Sequence, residues 1–171
     1  RREVIAVDEG MREDAASWEQ FFRSMIERGL RGVRLVVGDR CAGLVSTVNS
    51  MLPNAKYQRC MVRFMRNVLS KTPPSHREWA SAALKAIFAQ ENRESAMAKA
   101  GTVAGEMEER KLKAAANCLR EGVGETTTYL LPEFPANHGI KLRTNNMIER
   151  LSKEIRRRTR VVGGFPDSDS A

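Results

Sequence analysis

The stretch "VRLVVGDRCAGLVSTVNSML", residues 33–52, decides how this chain is read. Val33 to Gly38 form a short run rich in β-branched residues, the composition of a buried strand. Asp39 closes that run. From Ala42 the period changes: Leu44, Val45, Val48 and Leu52 recur on one face of a helix that Pro53 ends. A strand that hands an acid to a helix leaves two uses for Asp39. Its carboxylate can cap the helix by accepting the free N–H groups of the first turn. It can also stand at the carboxyl edge of a sheet, where open α/β folds place their sites.

Working outward, "EVIAVD" at residues 3–8 predicts a strand. Asp14 is placed to cap a helix in which Trp18, Phe21, Phe22, Met25 and Ile26 recur at helical spacing, with Gly29 as its stop. "AKYQRC" predicts a brief third strand, followed by a helix from Met61 to Ser70. Past "KTPPS" the character changes. His76 to about Arg120 is rich in Ala, Glu, Lys and Arg with no strand signal, which predicts two or three helices, the first with Trp79, Leu84 and Phe88 on its apolar side. Residues 122–140 are expected to be loop, with one helical turn at 126–131. Thr144 or Asn145 then caps a last helix through about Thr159. The order predicts an α/β fold in three parts: a partial sheet segment over 1–72, a helical insertion and loop over 73–140, and a final basic helix and tail over 141–171.

At 171 residues the chain suits one domain with a real core. Its formal charge of +8 favours a polyanionic partner, either nucleic acid or an anionic membrane surface. No apolar run reaches the roughly 18 residues a membrane span needs, and the first residues resemble no signal peptide. Three cysteines, Cys41, Cys60 and Cys118, follow no pairing pattern, as expected of a reducing compartment. The chain starts without Met and stops in "PDSDSA", so it is expected to be a piece of something longer.

The excess charge is concentrated. Residues 141–160 hold eight Lys or Arg against two Glu. On a helical wheel Ile148, Leu151 and Ile155 make an apolar stripe that must pack on something. Glu149, Lys153, Arg156 and Arg160 border that stripe, while Arg150, Arg157 and Arg158 point mainly to solvent. Glu149 is thus the one carboxylate on a cationic ridge. It can be an i,i+4 partner of Lys153, or it can be a ligand. A Mg²⁺ ion takes one or two protein carboxylates plus water and phosphate, and two such ions serve phosphodiester chemistry. Asp39 and Glu149 together would suit that use, with neighbouring cations on the DNA backbone.

"TNNMIERLSKEIRRRTRVVGGFP" resembles the C-terminal signature of Mutator-type DDE transposases, a Thr-Asn-x-x-Glu-Arg helix before an Arg-rich run and Val-Val-Gly-x-Phe-Pro. "RGLRGVRLVVGDRCAGL" is similar to the segment around that family's second catalytic Asp, and "YQRCMVRFMRNVLSK" to its Cys-x-x-His segment. The resemblance implies an RNase H-like core with a helical insertion before the last catalytic helix. It implies Asp39 and Glu149 as the second and third acids and metal ligands, with Mg²⁺ or Mn²⁺ in a two-metal site. It implies DNA (transposon ends and target) as partner, contacted here by Arg150, Lys153, Arg156, Arg157 and Arg160. A homo-oligomer in a bacterial, nucleoid-associated setting would follow for the intact enzyme. The family's first Asp lies upstream of these segments. Asp8 closes a strand that matches a later, non-catalytic one and is not promoted.

Departures from the family pattern point to a truncated, degenerating copy. Arg63 stands where His is usual, Arg40-Cys41 where Ala-His is, Gly139 where Trp follows His138, and Asn145 and Ser152 where Thr and Asn are common. No metal spacing supports a zinc site from Cys41, Cys60, His76 and His138. Arg59, Arg63, Arg66 and Lys71 suit either DNA contact or a solvated face. The leading expectation is a transposase catalytic domain that nicks element ends and joins the freed 3′-hydroxyls to target DNA. The alternative is a non-catalytic DNA-binding remnant or regulator of an intact transposase. An RNase H-like repair nuclease is a third reading, disfavoured by the Thr-Asn-x-x-Glu-Arg match.

Overall fold

A computed structural model describes residues 3–7 and 14–162, and side chains as far as Arg158. The stretch that opens the sequence reading folds as a βαβ unit. Strand β1, Leu35–Gly38, runs into helix α2, Ala42–Met51, and the chain returns as strand β2, Lys56–Arg59. The two strands pair in parallel, from Leu35 opposite Lys56 to Gly38 opposite Arg59. A parallel pair needs such a crossover helix, because a tight turn cannot reverse the chain twice. Helix α1, Ala15–Glu27, precedes this unit and packs on α2. Asp14 caps it: Oδ1 accepts the Ser17 N–H at 2.9 Å. Gly29 ends it at φ +101°, a conformation that a side chain would strain.

Helix α3, Met61–Ser70, follows β2 directly. Three longer helices come next: α4 at Pro74–Phe88, α5 at Arg93–Glu109 and α6 at Lys113–Thr126. Single 3₁₀ turns at Thr128–Leu130 and Ala136–His138 and a short helix α7, Gly139–Leu142, lead to the last helix α8, Asn146–Val162.

Two cores result. Phe22, Met25, Leu44 and Val48 bury the seam between α1 and α2, with Tyr57 packed against them from β2. The larger core joins Phe64 and Val68 of α3 to Leu84, Ile87, Val103, Met107 and Leu119 of the helical part. Gln58 ties the two together. Side chains alternate along a strand, so Gln58 turns away from Tyr57 and toward α6. It is fully buried, donates from Nε2 to the Thr126 carbonyl at 2.7 Å, and accepts the Tyr129 N–H on Oε1 at 2.9 Å. The sheet is therefore covered by α1 and α2 on one face and by α6 on the other.

Three expectations are corrected. Residues 3–7 carry no strand: among the described residues they have no ladder partner, and Val4, Ile5 and Val7 are exposed. A run rich in Val and Ile makes a strand only where a neighbour completes its hydrogen bonds; here the Ile5 carbonyl accepts from the Arg28 side chain instead. Asp8 lies outside the described residues. The loop expected from residue 122 begins later, because α6 continues through "EGVGET" to Thr126. The apolar stripe of α8 does not pack, since Ile148, Leu151 and Ile155 are all exposed.

Glycine explains why α6 tolerates a residue of low helix propensity. A Cβ on Gly122 would strike the Phe64 ring and sit 2.6 Å from Arg59 Nη1. Replacing Gly122 by Ala is expected to destabilise the chain by about 1–3 kcal/mol through overpacking. That outweighs the gain of up to about 1 kcal/mol in helix propensity. The matched control is Gly105→Ala in α5, where a Cβ meets nothing within 4 Å and stability should rise by about 0.5–1 kcal/mol. Urea midpoints at unchanged slope measure both.

Candidate active site

Asp39 leaves the carboxyl end of β1. Its main chain is fixed from the neighbouring strand, where the Tyr57 hydroxyl donates to the Asp39 carbonyl at 2.8 Å and lies 3.2 Å from that of Gly38. Burial, helped by the negative charge of Glu125, pushes the Tyr57 phenol well up from its usual value, so it stays a donor. Asp39 does not cap α2. The residue at that cap position is Cys41, with no side-chain cap hydrogen bond, and the Asp39 carboxylate points toward the start of α8.

Two ties bring α8 there. The Met61 N–H at the head of α3 donates to the Arg143 carbonyl at 2.9 Å, which anchors the linker before α8. Asn145, whose carbonyl accepts from the Ile148 and Glu149 N–H groups, sends its Nδ2 toward Asp39 Oδ1 at 3.4 Å. Glu149 then lies in the first turn of α8, where the helix dipole favours a negative charge.

Arg63, on the first turn of α3, joins the two acids. Its Nε donates to Glu149 Oε1 at 2.9 Å and lies 3.4 Å from Asp39 Oδ2. The two carboxylate oxygens can therefore be no farther apart than the sum of 2.9 and 3.4 Å. All three side chains are one-third to one-half exposed. The hydrogen bond that Arg63 donates to Glu149, followed by the charge of Asp39, raises the Arg63 pKa above its already high ordinary value. The arginine is a permanent cation between two anions.

Chemically, this is a pair of hard oxygen donors converging on one positive centre at an open sheet edge. Such a pair fits a Mg²⁺ or Mn²⁺ ion that keeps several waters or takes phosphate oxygens. A third carboxylate is not beside them: among the described residues no three His, Cys, Asp or Glu side chains gather as a metal cluster.

The remaining expected site residues lie along α8. Arg150, Lys153, Arg156 and Arg157 are exposed, while the side chain of Arg160 lies outside the described residues. Glu149 pairs with Arg63 rather than as a simple i,i+4 partner within its helix. A second acid of α8, Glu154, gathers Arg157 at 2.7 Å and Arg158 at 2.8 Å, and these bonds hold its carboxyl down to about 2. Arg157 is thus partly neutralised. Arg59, the last residue of β2, is buried over the Phe64 ring of α3, 5.0 Å from its centroid, and has no free face for DNA. Cys41, Cys60 and Cys118 form no disulfide. Tyr57, Gln58 and the acid-bridging role of Arg63 were not found from sequence, since each acts through a partner in another element.

A strand-end aspartate and a helix glutamate held on one cation mark a candidate acid-metal site on an α/β scaffold. Comparison with known proteins gives the family. The model of the Mutator family of transposases matches residues 1–171, and the chain belongs to that family. It is 37% identical over 169 residues to the transposase of insertion sequence element IS1081 from Mycobacterium tuberculosis, covering 99% of this chain and 40% of that protein. The transposase of ISRM5 from Rhizobium meliloti is 35% identical over 170 residues, covering 99% and 42%. That of IS256 in transposon Tn4001 from Staphylococcus aureus is 32% identical over 171 residues, covering 99% and 43%. The chain spans about two-fifths of the length of these curated relatives. Among the described residues no helix is long and apolar enough to cross a membrane.

Proposed function

We propose that this chain is the part of a DDE transposase that carries its second and third acids, Asp39 and Glu149, within an RNase H-like core. The observation that carries this reading is the shared hold of Arg63 Nε on both carboxylates, which joins residues far apart in sequence into one site. Bound Mg²⁺ or Mn²⁺ would activate the attacking oxygen and stabilise the leaving one. Asp39 would be aimed by Tyr57 and Asn145, and Glu149 by the anchored first turn of α8. The substrate is DNA at element ends and in the target, held through its phosphates by the cations of α8. Transposon-end pairing implies a homo-oligomer, and DNA as substrate implies the bacterial nucleoid. The experiment is strand cleavage by a fusion in which the matching upstream segment of the IS1081 transposase supplies the first acid. Loss of cleavage on Asp39→Asn or Glu149→Gln, with DNA binding retained, is the expected outcome.

DNA contact has its own test. Lys153, Arg156 and Arg160 share one side of α8 by spacing, and each phosphate contact releases counterions. With three contacts, affinity for duplex DNA should fall roughly 40-fold between 50 and 200 mM salt. Replacing all three by Ala should flatten that slope by about three units. A flat salt response in the unmodified chain would sink the assignment.

The second reading, a DNA-binding protein without chemistry of its own, is favoured by one observation: an arginine stands where a metal would sit. Cleavage by the fusion separates the two.

A further inference from the structure

We propose that Arg63 is a built-in counter-ion for the acid pair, so that a divalent ion binds between Asp39 and Glu149 only by displacing its guanidinium. This rests on reading the two acids as metal ligands. An arginine that simply docks on one carboxylate favours two parallel N–H bonds to its two oxygens. Arg63 instead places a single nitrogen against both acids, at 2.9 and 3.4 Å. A Mg²⁺ ion holding the same two oxygens needs each at about 2.0–2.1 Å, which requires the space that this N–H group fills. Both cations cannot be there together.

The arrangement also allows exchange. The Arg63 side chain is half exposed, and exposed ion pairs hold weakly because water screens them. Its backbone belongs to α3, whose head is anchored by the Arg143 carbonyl, so only the side chain need move. Without any cation, two carboxylates facing one another would repel and push the start of α8 away from β1. The apolar stripe of α8 is exposed, so among the described residues the start of that helix is held mainly by these acids and by the Arg143 and Asn145 ties. Arg63 thus keeps the acid pair assembled while metal is absent and yields it when metal arrives. Once displaced, the guanidinium lies beside the phosphate-binding side of α8 as a further contact for DNA.

The test measures binding rather than cleavage. Mn²⁺ affinity is read by electron paramagnetic resonance at low salt for the 171-residue chain, for Arg63→Gln and for Arg63→Lys. Removing the competing cation should tighten Mn²⁺ binding about three- to tenfold in Arg63→Gln, with Arg63→Lys close to the unmodified chain. Adding Asp39→Asn to Arg63→Gln should abolish the gain. In the unmodified chain, Mg²⁺ should shift the Arg63 Nε–H nuclear magnetic resonance signal with the same half-saturation as metal binding; this arm needs no substitution. If Arg63→Gln leaves affinity unchanged or weaker while Asp39→Asn and Glu149→Gln still reduce it, the inference is overturned and the metal reading stands. If the acid substitutions also change nothing, both fall.

Discussion

In the fusion that supplies the first acid, Asp39→Asn and Glu149→Gln are each expected to lower DNA cleavage by about 10³-fold or more. Metal-assisted stabilisation of the transition state is worth several kcal/mol, and each 1.36 kcal/mol is tenfold in rate. An amide keeps the volume of the carboxylate and one of its oxygens but loses the charge that holds a hard cation. Folding should be little disturbed, because both side chains are partly exposed and end in Arg63 rather than in a core. DNA affinity should stay the same or rise slightly, since a negative charge is removed from a chain whose formal charge is already +8. Quenched-flow cleavage beside a binding titration measures both. Equal loss of binding and cleavage would mean that the acids serve structure or DNA grip, and would remove them from the chemistry.

The parts of the fold that sequence revealed are those decided locally. β1, α2, β2 and α3 lie where short apolar runs, helical spacing and Pro53 put them, and α3 spans the expected Met61 to Ser70. The cap at Asp14 and the stop at Gly29 are also local chemistry. What sequence missed depends on partners. "EVIAVD" has the composition of a strand, but composition does not supply the neighbouring strand. The run "EGVGET" looks like loop, yet it is helix because Gly122 lets α6 lie against Phe64 and Arg59. The amphipathic pattern of α8 is real, but pattern does not say whether a surface exists to receive it.

The site divides the same way. Spacing alone left Asp39 between cap and ligand, and Glu149 between a Lys153 partner and a ligand. The motif resemblance paired them, and the fold brings both onto Arg63. The departure at position 63 was visible in sequence as an oddity. Its physical meaning needed the third dimension: a cation at that place on α3 faces two anions that belong to β1 and α8.

The 171-residue chain by itself is expected to leave transposon-end DNA uncut, with Mg²⁺ or with Mn²⁺. Its acid pair presents two carboxylates, and among the described residues no third one completes a cluster. Two-metal chemistry requires ligands that fix ions on both sides of the scissile phosphate, about 4 Å apart. One Asp and one Glu can seat a single ion, and in this chain they must first give up Arg63. An attacking oxygen without its own ion is neither activated nor aligned, and a misplacement near 1 Å is already costly, on the order of 100-fold. The sheet adds a second handicap, because among the described residues β1 is paired only with β2, so its end has a neighbouring strand on one side alone. Incubating the purified chain with element-end duplex and Mn²⁺ should therefore give no product, while the same chain retains salt-sensitive binding. Arg63→Gln should not rescue cleavage, because it opens a metal position without adding a ligand. Metal-dependent cleavage by the chain alone, lost on Glu149→Gln, would show that another acid of this chain completes the site, and Asp8 would be the first to substitute.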